Sequence, residues 1–428
     1  MPTSFISWLY RDGRVQQLQR AMQAGFGKVS AEKLEELKFS LSAADLSDAT
    51  WALAYWYRLN DDYQRALDQL LLRRMADPHV LRDSRHAVVA VDVLLKLDRV
   101  EAARATVKDA IKRLGEVPEL CFSASNVAAA GSGQTQSEVD QLRLDWLNKP
   151  FVGAGFAPIE LKDPSAPLML DNIAAPLARP HPRSGEAKIS VLMPAYNAAD
   201  TIVTAMTSVL SQTWENLELI VVDDGSSDDT WSVIESAARR DARVVPLRHS
   251  RNSGAYAARN TALLHATGDL VTVHDSDDWA HPEKLALQAV ALIDSGVANL
   301  TRQIRVRPCM RVYVKPDGAT MLTCYSSLMM RREVLLGLGG WDESRMGADG
   351  ELWDRLLLGD RGRTEILAKE SPLTLYRFRE TSLTATRLTG VGTLRYGARC
   401  QYIAAYQHWH REEMKKENPD LAATGGLP

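Results

Sequence analysis

The segment Ile189-Ser190-Val191-Leu192-Met193-Pro194-Ala195-Tyr196-Asn197 joins a mainly apolar run to a turn-forming end. Comparable apolar runs follow at 219–222, 244–247 and 270–274. Short runs of this kind are typical of strands that are buried on both faces of a sheet. The sequence therefore predicts strands at these places, the first of them at 189–193.

Segments with helical periodicity separate the predicted strands. Apolar residues recur at intervals of three and four at 199–212, 230–240, 255–266 and 282–293. Strands that alternate with amphipathic helices indicate an α/β fold, with a mainly parallel sheet and helices on both faces. Ligands bind such sheets at the carboxyl ends of the strands.

From about Leu41 to Lys149 apolar residues recur at intervals of three and four, a helical pattern that predicts an all-α domain at 1–150. Within it, the segment 60–67 is echoed by 97–104, an offset near the period of paired-helix repeats. The pattern resembles tetratricopeptide-like repeats, and an ordinary antiparallel helical bundle explains it equally well. A repeat array of this kind would bind a protein partner or a neighbouring domain.

Proline and glycine interrupt the pattern between these two regions, which predicts a linker at 151–187. The α/β domain is expected to span 188–385, and a helical extension is expected at 386–428. The extension carries aromatic residues, among them Tyr402 and Tyr406. Such a helix either lies on a membrane surface or packs back onto the domain, and its acidic residues favour packing.

Composition restricts the partners and the compartment. The 51 lysine and arginine residues nearly balance the 54 acidic residues, so nothing indicates nucleic acid as a partner. The four cysteines are far apart, which is typical of reduced thiols in a cytoplasmic protein. Residues 1–8 lack the pattern of a signal peptide, and no segment is apolar enough to span a bilayer. Membrane association is expected to be at most peripheral, at the inner face.

The acidic run His274-Asp275-Ser276-Asp277-Asp278-Trp279 follows the last predicted strand. If the chain stays extended, Asp275 and Asp277 point the same way and Asp278 points aside. Two carboxylates so placed suit Mg²⁺ or Mn²⁺. The alternative is a plain turn before the next helix, but carboxylates this close favour a cation that neutralises them.

Two other segments carry candidate ligand-binding residues. Asp223 ends the second strand, where a carboxylate can accept hydrogen bonds from a base or ribose, although Asp224-Gly225 is also a common tight turn. Gly254 opens a helix, where backbone donors are exposed, and Arg259 on that helix could pair with a diphosphate. The alternative for Arg259 is a surface residue on a capped helix.

Several segments, taken together and in order, resemble family 2 glycosyltransferases of the GT-A fold. They are Ile189-Ser190-Val191-Leu192-Met193-Pro194-Ala195-Tyr196-Asn197, Ser208-Val209-Leu210-Ser211-Gln212-Thr213, Ile220-Val221-Val222-Asp223-Asp224-Gly225-Ser226-Ser227-Asp228-Asp229-Thr230, Ala258-Arg259-Asn260 and Asp275-Ser276-Asp277-Asp278. The resemblance implies a GT-A, Rossmann-like domain that transfers a sugar, with inversion, from a nucleotide-sugar to an acceptor hydroxyl. The implied donor is commonly a UDP-sugar, and the implied cofactor is Mn²⁺ or Mg²⁺.

The same resemblance implies roles for individual residues. The nucleotide-sugar would be bound by Pro194, Ala195, Tyr196, Asp223, Asp224, Gly254, Arg259, Asp275 and Ser276, and the metal by Asp275 and Asp277. The acceptor would be a saccharide, a lipid-linked sugar or a protein, in cell-surface polysaccharide or glycoconjugate synthesis.

The likeness continues more weakly over 326–355, where the family places its catalytic base in a Glu-Asp pair. Here Asp349 matches the base, but Ala348 replaces the preceding acid. Asp349 and Glu351 lie on roughly opposite sides of a helix, so only one of them would face the acceptor. We choose Asp349 and keep Glu351 as the second candidate; Asp349 could instead only cap the helix. Residues 376–379 and 382–384 also occur in the polysaccharide branch of the family.

Two other functions compete with this interpretation. A sugar-phosphate nucleotidyltransferase needs a glycine-rich, basic loop after the first strand, and the segment 194–200 has no glycine, lysine or arginine. A binding scaffold would use the helical repeats for partners and the sheet only to hold a nucleotide-sugar. The presence of Asp275, Asp277 and Asp349 favours an enzyme.

Overall fold

The computed structural model describes residues 13–131, 135–176, 179–358, 363–379, 398–416 and 419–422. The chain divides into two compact units, with the first division between Pro150 and Phe151. The segment Arg311–Thr320 also belongs to the first unit, whereas the sheet strands on either side of it belong to the second. The predictions for residues 1–8, for 382–384 and for the part of the C-terminal extension at 386–397 lie outside the described residues.

The first unit is built from helices, as predicted. They are α1 (Arg14–Ala21), α2 (Gly27–Leu37), α3 (Ala43–Leu59), α4 (Tyr63–Ala76), α5 (Ser84–Lys96), α6 (Val100–Leu114), α7 (Pro118–Ala128) and α8 (Gln136–Gly153), with a π-helical turn at Met22–Phe26 and 3₁₀ turns at Lys38–Ser40 and Pro78–Arg82. Apolar residues of α3 to α7 form a shared core, which includes Leu67, Val91 and Val107. Burial of this shared core explains the spacing of three and four in the sequence.

The repeated segments are the turns of two helical hairpins. Asp61 lies between α3 and α4 with φ 57°, and Asp98 lies between α5 and α6 with φ 56°. A left-handed conformation is one that aspartate tolerates better than most residues. The hairpins are therefore alike in geometry, while their relation to tetratricopeptide repeats stays a prediction.

The segment Arg311–Thr320 completes the first unit through buried polar contacts. The Asn126 amide donates to the Val312 carbonyl at 2.8 Å and accepts from the Val312 N–H at 2.9 Å. Arg58 donates to the carbonyls of Lys315 and Pro316 at 3.0 and 2.7 Å. These contacts join residues that are far apart in sequence, so no local pattern predicts them.

The second unit contains the α/β sheet. Its strands are β1 (Glu160–Leu161), β2 (Ile173–Ala174), β3 (Ile189–Ala195), β4 (Leu217–Asp223), β5 (Val244–Arg248), β6 (Leu270–Val273), β7 (Trp279–Ala280), β8 (Ala298–Val306), β9 (Met321–Arg331), β10 (Thr364–Ile366) and β11 (Pro372–Arg377). Among the described residues, the main sheet has the order β5-β4-β3-β6-β9-β8-β11-β7, with β10 beside β8. β5, β4, β3 and β6 are parallel, and β9 is antiparallel to its neighbours β6 and β8.

Helices pack on both faces of the sheet. Within the described residues, the helices of the second unit are α9 (Ile202–Leu210), α10 (Thr230–Arg240), α11 (Ala255–His265), α12 (Lys284–Ser295), α13 (Arg332–Gly337), α14 (Ala348–Leu358) and α15 (Ala398–Glu413). In β3, Val191 and Met193 enter one core cluster, whereas Leu192 enters the other. Successive strand residues point to opposite faces, and both faces are buried, which confirms the predicted fold class.

The segment predicted as a linker is instead packed into the second unit. β1 pairs with β2 in an antiparallel hairpin, and Ile159, Leu168 and Leu170 are buried. Proline prevents regular helix in this segment, but it does not prevent the apolar residues between the prolines from packing.

The aromatic C-terminal helix, α15, packs back onto the second unit. The hydroxyl of Tyr402 donates to Asp342 at 2.8 Å, and that of Tyr406 donates to Asp354 at 3.1 Å. Tyr406 is buried. In the parts of the chain that the structure describes, no helix is long and apolar enough to cross a membrane.

Candidate active site

The loops after β3 and β4 are bound to each other at the carboxyl edge of the sheet. The Asp224 N–H donates to the Ala195 carbonyl at 2.8 Å, and the Asn197 N–H donates to the Ser226 hydroxyl at 2.9 Å. Pro194 and Ala195 are buried within β3, whereas the Tyr196 side chain is 51% exposed. The structure thus places Tyr196 at this edge, open to a ligand.

Asp223 is buried at the end of β4. One of its carboxylate oxygens accepts from the Ser226 N–H at 3.0 Å, and the other lies 3.0 Å from Nε of Arg248. Arg248 is itself partly exposed. The carboxylate is therefore fixed by its own loop and by a surface arginine at the predicted nucleotide-binding edge.

Asp224 organises the loop that leads into α11. Its carboxylate accepts from the N–H groups of Ser253 and Gly254 at 2.9 and 2.7 Å, and it lies 2.7 Å from Nδ1 of His249. Gly254 has φ +100°, a conformation that favours glycine. Because Asp224 takes the Gly254 N–H, that donor is not exposed at the helix entrance as predicted.

Arg259 connects two of the predicted functional carboxylates. It is buried on α11 and donates to Asp275 at 2.7 Å and to Asp349 at 2.6 Å. Burial alone would lower the pKa of Arg259, but the charges of Asp349 and Asp275 outweigh it and raise the pKa. Each terminal nitrogen thus has a carboxylate partner inside the protein, and burial excludes a surface position for Arg259. Its pairing with a diphosphate stays a prediction.

The acidic run forms a turn and not an extended strand. β6 ends at Val273, and the Asp278 N–H donates to the Asp275 carbonyl at 3.3 Å across Ser276 and Asp277. Asp275 and Asp277 therefore do not lie on an extended strand, and the alternation predicted for their side chains is wrong. A turn forms here because aspartate and serine favour turns, and because the Asp278 carboxylate is buried and accepts from the Arg377 N–H at 3.0 Å.

The carboxylates of this turn crowd one another. Burial and the charge of Asp275 raise the pKa of Asp277 to about 6. Burial and the charges of Asp277 and Asp275 raise the pKa of Asp278 well above its usual value. One buried oxygen of Asp278 has no hydrogen-bond partner. This excess of negative charge is what a bound cation relieves.

The carboxylates of the acidic turn are hard oxygen donors, the ligand type that Mg²⁺ and Mn²⁺ prefer. Within the described ranges, no group of three or more histidine, cysteine, aspartate or glutamate side chains has the arrangement to hold an ion. Mg²⁺ and Mn²⁺ sites need fewer protein ligands than that, because substrate phosphate and water complete the shell. Asp275 and Asp277 are the oxygen donors that the turn offers.

The two candidate bases occupy different environments on α14. Asp349 accepts from Arg259 and from the Tyr256 hydroxyl at 3.1 Å, and its side chain is 23% exposed. Glu351 is 2% exposed and pairs with Arg355 at 2.8 Å and with His410 at 3.0 Å. The structure gives Glu351 a place in a buried network, which disfavours it as a base and leaves Asp349 as the candidate.

Two residues near the acidic turn were not identified from the sequence. Arg377 in β11 contacts the turn with both its backbone and its side chain, and Asp171 pairs with Arg377. Arg377 was noted only as part of a family-like segment. Asp171 lies far from the turn in sequence, inside the supposed linker, so no local signal could reveal it.

The parallel half-sheet, its mixed second half and the carboxylates at its carboxyl edge define a GT-A domain. Residues 190–341 match the model of glycosyl transferase family 2. The chain therefore contains a family 2 glycosyltransferase domain. Asp349 lies just beyond the matched residues.

Curated relatives match the same region. The UDP-Glc:alpha-D-GlcNAc-diphosphoundecaprenol beta-1,3-glucosyltransferases WfaP and WfgD of Escherichia coli are each 40% identical, over 100 and 111 residues. These matches cover 23% and 26% of this chain, and 39% and 43% of the relatives, so the chain spans about two fifths of their length. The putative glycosyltransferase EpsE of Bacillus subtilis is 30% identical over 188 residues, which are 39% of this chain and 66% of EpsE.

Solved structures of S. aureus TarS are also similar. One TarS structure has 21% identity and a TM-score of 0.37, and the match covers 54% of this chain and 44% of that chain. TarS 1–349 in complex with UDP-GlcNAc has 22% identity and a TM-score of 0.39, over 46% of this chain and 60% of that chain.

Proposed function

We propose that this protein is an inverting glycosyltransferase that uses a nucleotide-sugar, in the first instance a UDP-sugar, and a divalent cation. The acceptor is a hydroxyl of a saccharide or a lipid-linked sugar, in the synthesis of a cell-surface polysaccharide or glycoconjugate. The family 2 domain at 190–341 supports the reaction class. The similarity to WfaP and WfgD, which are UDP-Glc:alpha-D-GlcNAc-diphosphoundecaprenol beta-1,3-glucosyltransferases, supports the UDP-sugar and the lipid-linked acceptor.

The observation that carries this proposal is the bridge made by Arg259. One buried guanidinium holds Asp275, the first carboxylate of the acidic turn, and Asp349, the candidate base. A transferase needs its donor-binding and proton-accepting groups at a fixed separation, because fixed geometry makes the encounter effectively unimolecular. The bridge supplies such a fixed relation between residues from two distant parts of the sequence.

Asp349 is suited to accept a proton. Arg259 and Tyr256 hydrogen-bond to different oxygens of its carboxylate, which fixes its orientation. Each oxygen keeps further acceptor capacity. In the proposed reaction the acceptor hydroxyl gives its proton to Asp349 while its oxygen attacks the anomeric carbon, and the nucleoside diphosphate leaves from the opposite side. One displacement of this kind inverts the anomeric configuration.

The donor end of the site is formed by the loops of β3 and β4 and by the acidic turn. Asp223, fixed by the Ser226 N–H, would accept hydrogen bonds from the nucleoside, and the exposed Tyr196 offers a ring for contact with the base. A Mn²⁺ or Mg²⁺ ion held by Asp275 and Asp277 would neutralise charge on the leaving diphosphate.

The test of this function is the release of nucleoside diphosphate from a panel of UDP-, GDP- and dTDP-sugars, with manganese or with a chelator. We expect release from at least one UDP-sugar with manganese and a large loss with the chelator. Binding of UDP without turnover, across a broad panel of donors and saccharide acceptors, would favour the scaffold function instead.

A further inference from the structure

The segment 160–174, which precedes the family 2 domain, is joined to β11 by an ion pair with two parallel contacts. Asp171 lies in the 3₁₀ turn Leu170–Asn172 between β1 and β2. Its two carboxylate oxygens accept from the two terminal nitrogens of Arg377 at 3.0 and 2.5 Å. A carboxylate and a guanidinium paired in this way restrict each other's orientation.

The same arginine holds the acidic turn. Nε of Arg377 donates to the Asp277 carbonyl at 2.9 Å, and its backbone N–H donates to the Asp278 carboxylate at 3.0 Å. The side chain of Arg377 is only 2% exposed. Every nitrogen of Arg377 is therefore engaged, either by the acidic turn or by Asp171.

Asp171 is itself firmly placed. The Thr204 hydroxyl on α9 donates to its carboxylate at 2.7 Å, and the N–H of its neighbour Leu170 donates to the Pro308 carbonyl at 2.9 Å. Leu170 is fully buried. Burial would raise the pKa of Asp171, but hydrogen bonds from Arg377 and Thr204 outweigh it and hold the pKa below its usual value. The pair with Arg377 is thus charged at neutral pH.

We propose that Asp171 is a positioning residue for the donor site: it orients Arg377, and Arg377 fixes the turn that carries Asp275 and Asp277. The inference rests on the proposed function, because it assigns this turn to the nucleotide-sugar. Asp171 touches neither donor nor acceptor, and it acts through the geometry of Arg377. The segment 160–174 is in this sense part of the active site, although it lies outside the residues that match the family model.

The test compares Asp171→Asn with Asp171→Glu and with Asp163→Asn. Asp163 belongs to the same segment, but its carboxylate bonds locally to Ser165, so its loss leaves Arg377 paired. With UDP-glucose and manganese, we expect Asp171→Asn to raise the donor KM about tenfold, as for the loss of one charge-assisted hydrogen-bond pair. The acceptor KM should not change, Asp171→Glu should recover most of the donor affinity, and Asp163→Asn should behave as wild type.

A purely structural role predicts a different result. Asp171→Asn would then lower the melting temperature and the yield of active protein, with the donor KM unchanged, and the proposal would be overturned. If the wild type turns over no donor, the proposed function fails. Calorimetric titration with UDP and manganese then tests the role of Asp171 in donor binding without any turnover. Weaker UDP binding by Asp171→Asn than by Asp163→Asn supports it, and equal binding contradicts it.

Discussion

At the scale of single residues, the site is an arrangement of carboxylates around two buried arginines. Arg259 fixes Asp275 and Asp349, and Arg377 fixes the backbone of Asp277 and the carboxylate of Asp278. Buried charges of this kind persist only when they are paired, since each would otherwise be costly to remove from water. In the acidic turn, burial and neighbouring carboxylates raise the pKa values of both Asp277 and Asp278.

Asp349 is expected to be the proton acceptor. Asp349→Asn keeps the shape of the side chain and removes its basicity, so the kcat for sugar transfer should fall by about 10²- to 10⁴-fold. The donor KM should change much less. Initial rates of nucleoside diphosphate release, measured with saturating acceptor, give both quantities. Asp354→Asn is the matched control, because Asp354 lies on the same helix and bonds to Tyr406; equal losses in the two variants would rule out a base at Asp349.

The charge of Asp277 is expected to destabilise the cation-free protein. Its pKa is raised to about 6, so the folded chain binds this proton more tightly than the unfolded chain does. The unfavourable contribution is therefore present above about pH 6 and disappears as the pH falls towards the usual value of about 4. Asp277→Asn should raise the free energy of unfolding by on the order of 1 kcal/mol at about pH 8 in chelator, and by almost nothing near pH 4.

Urea unfolding at the two pH values measures this difference. Asp200→Asn serves as the control, because the Asp200 side chain is 66% exposed and its pair with Arg379 lies at the surface. A loss of stability in Asp277→Asn at the higher pH, or a gain that does not depend on pH, would contradict the assignment.

At the scale of helices and strands, the sequence predicted elements well wherever local patterns decide them. Residues 230–240 were predicted as a helix and form α10 with the same bounds, and the strand predicted at 189–193 extends to Ala195. The acidic turn was placed correctly after β6, but its shape was not, since the Asp278 carboxylate is held by Arg377. Such contacts join the turn to β11, about 100 residues later in the chain, and a local sequence pattern cannot predict them.

The junction of α14 with α15 depends on Glu351. Its carboxylate pairs with Arg355 on its own helix and with His410 on α15, and both charged side chains of the α14 pair are almost fully buried. Glu351→Ala leaves Arg355 buried without its partner, so the free energy of unfolding of the second unit should fall by about 3–5 kcal/mol.

Chemical unfolding followed by tryptophan fluorescence measures this cost. Glu412→Ala on α15 is the control, because Glu412 is half exposed and pairs with Lys415 at the surface, where such pairs contribute little to stability. If the two variants are equally stable, Glu351 does not join these helices. If Glu351→Ala is fully stable but its kcat falls, Glu351 is again a candidate for the catalytic base.

At the scale of the whole molecule, the helical first unit is completed by Arg311–Thr320, a segment that lies in sequence between the sheet strands β8 and β9. A division at residue 150 alone would miss Arg311–Thr320, which supplies the backbone partners of Asn126 and Arg58. The sequence indicated two kinds of domain, but it could not indicate this exchange, because the contacts join residues that are 186 and 257 positions apart. The protein partner predicted for the helices stays a prediction.

Asn126→Ala tests the contribution of this segment. The substitution leaves the buried N–H and carbonyl of Val312 without partners, which costs about 1–3 kcal/mol. Amide hydrogens of α7 should therefore exchange faster by about five- to 150-fold under conditions where exchange follows the opening equilibrium. Gln141→Ala, at an exposed position of α8, should leave these rates unchanged. Unchanged exchange in Asn126→Ala would show that Arg311–Thr320 does not stabilise α7.

We propose that the acidic turn binds a cation and the diphosphate of a nucleotide-sugar for transfer. The most direct measurement is the rate of UDP release from UDP-glucose, or from the UDP-sugar that the donor panel selects, by the wild type and by Asp277→Ala with manganese. Because Asp277 would hold the cation that neutralises charge on the leaving diphosphate, its loss should slow UDP release at least about a hundredfold, with the protein still folded. Equal rates in the two proteins would contradict the claim.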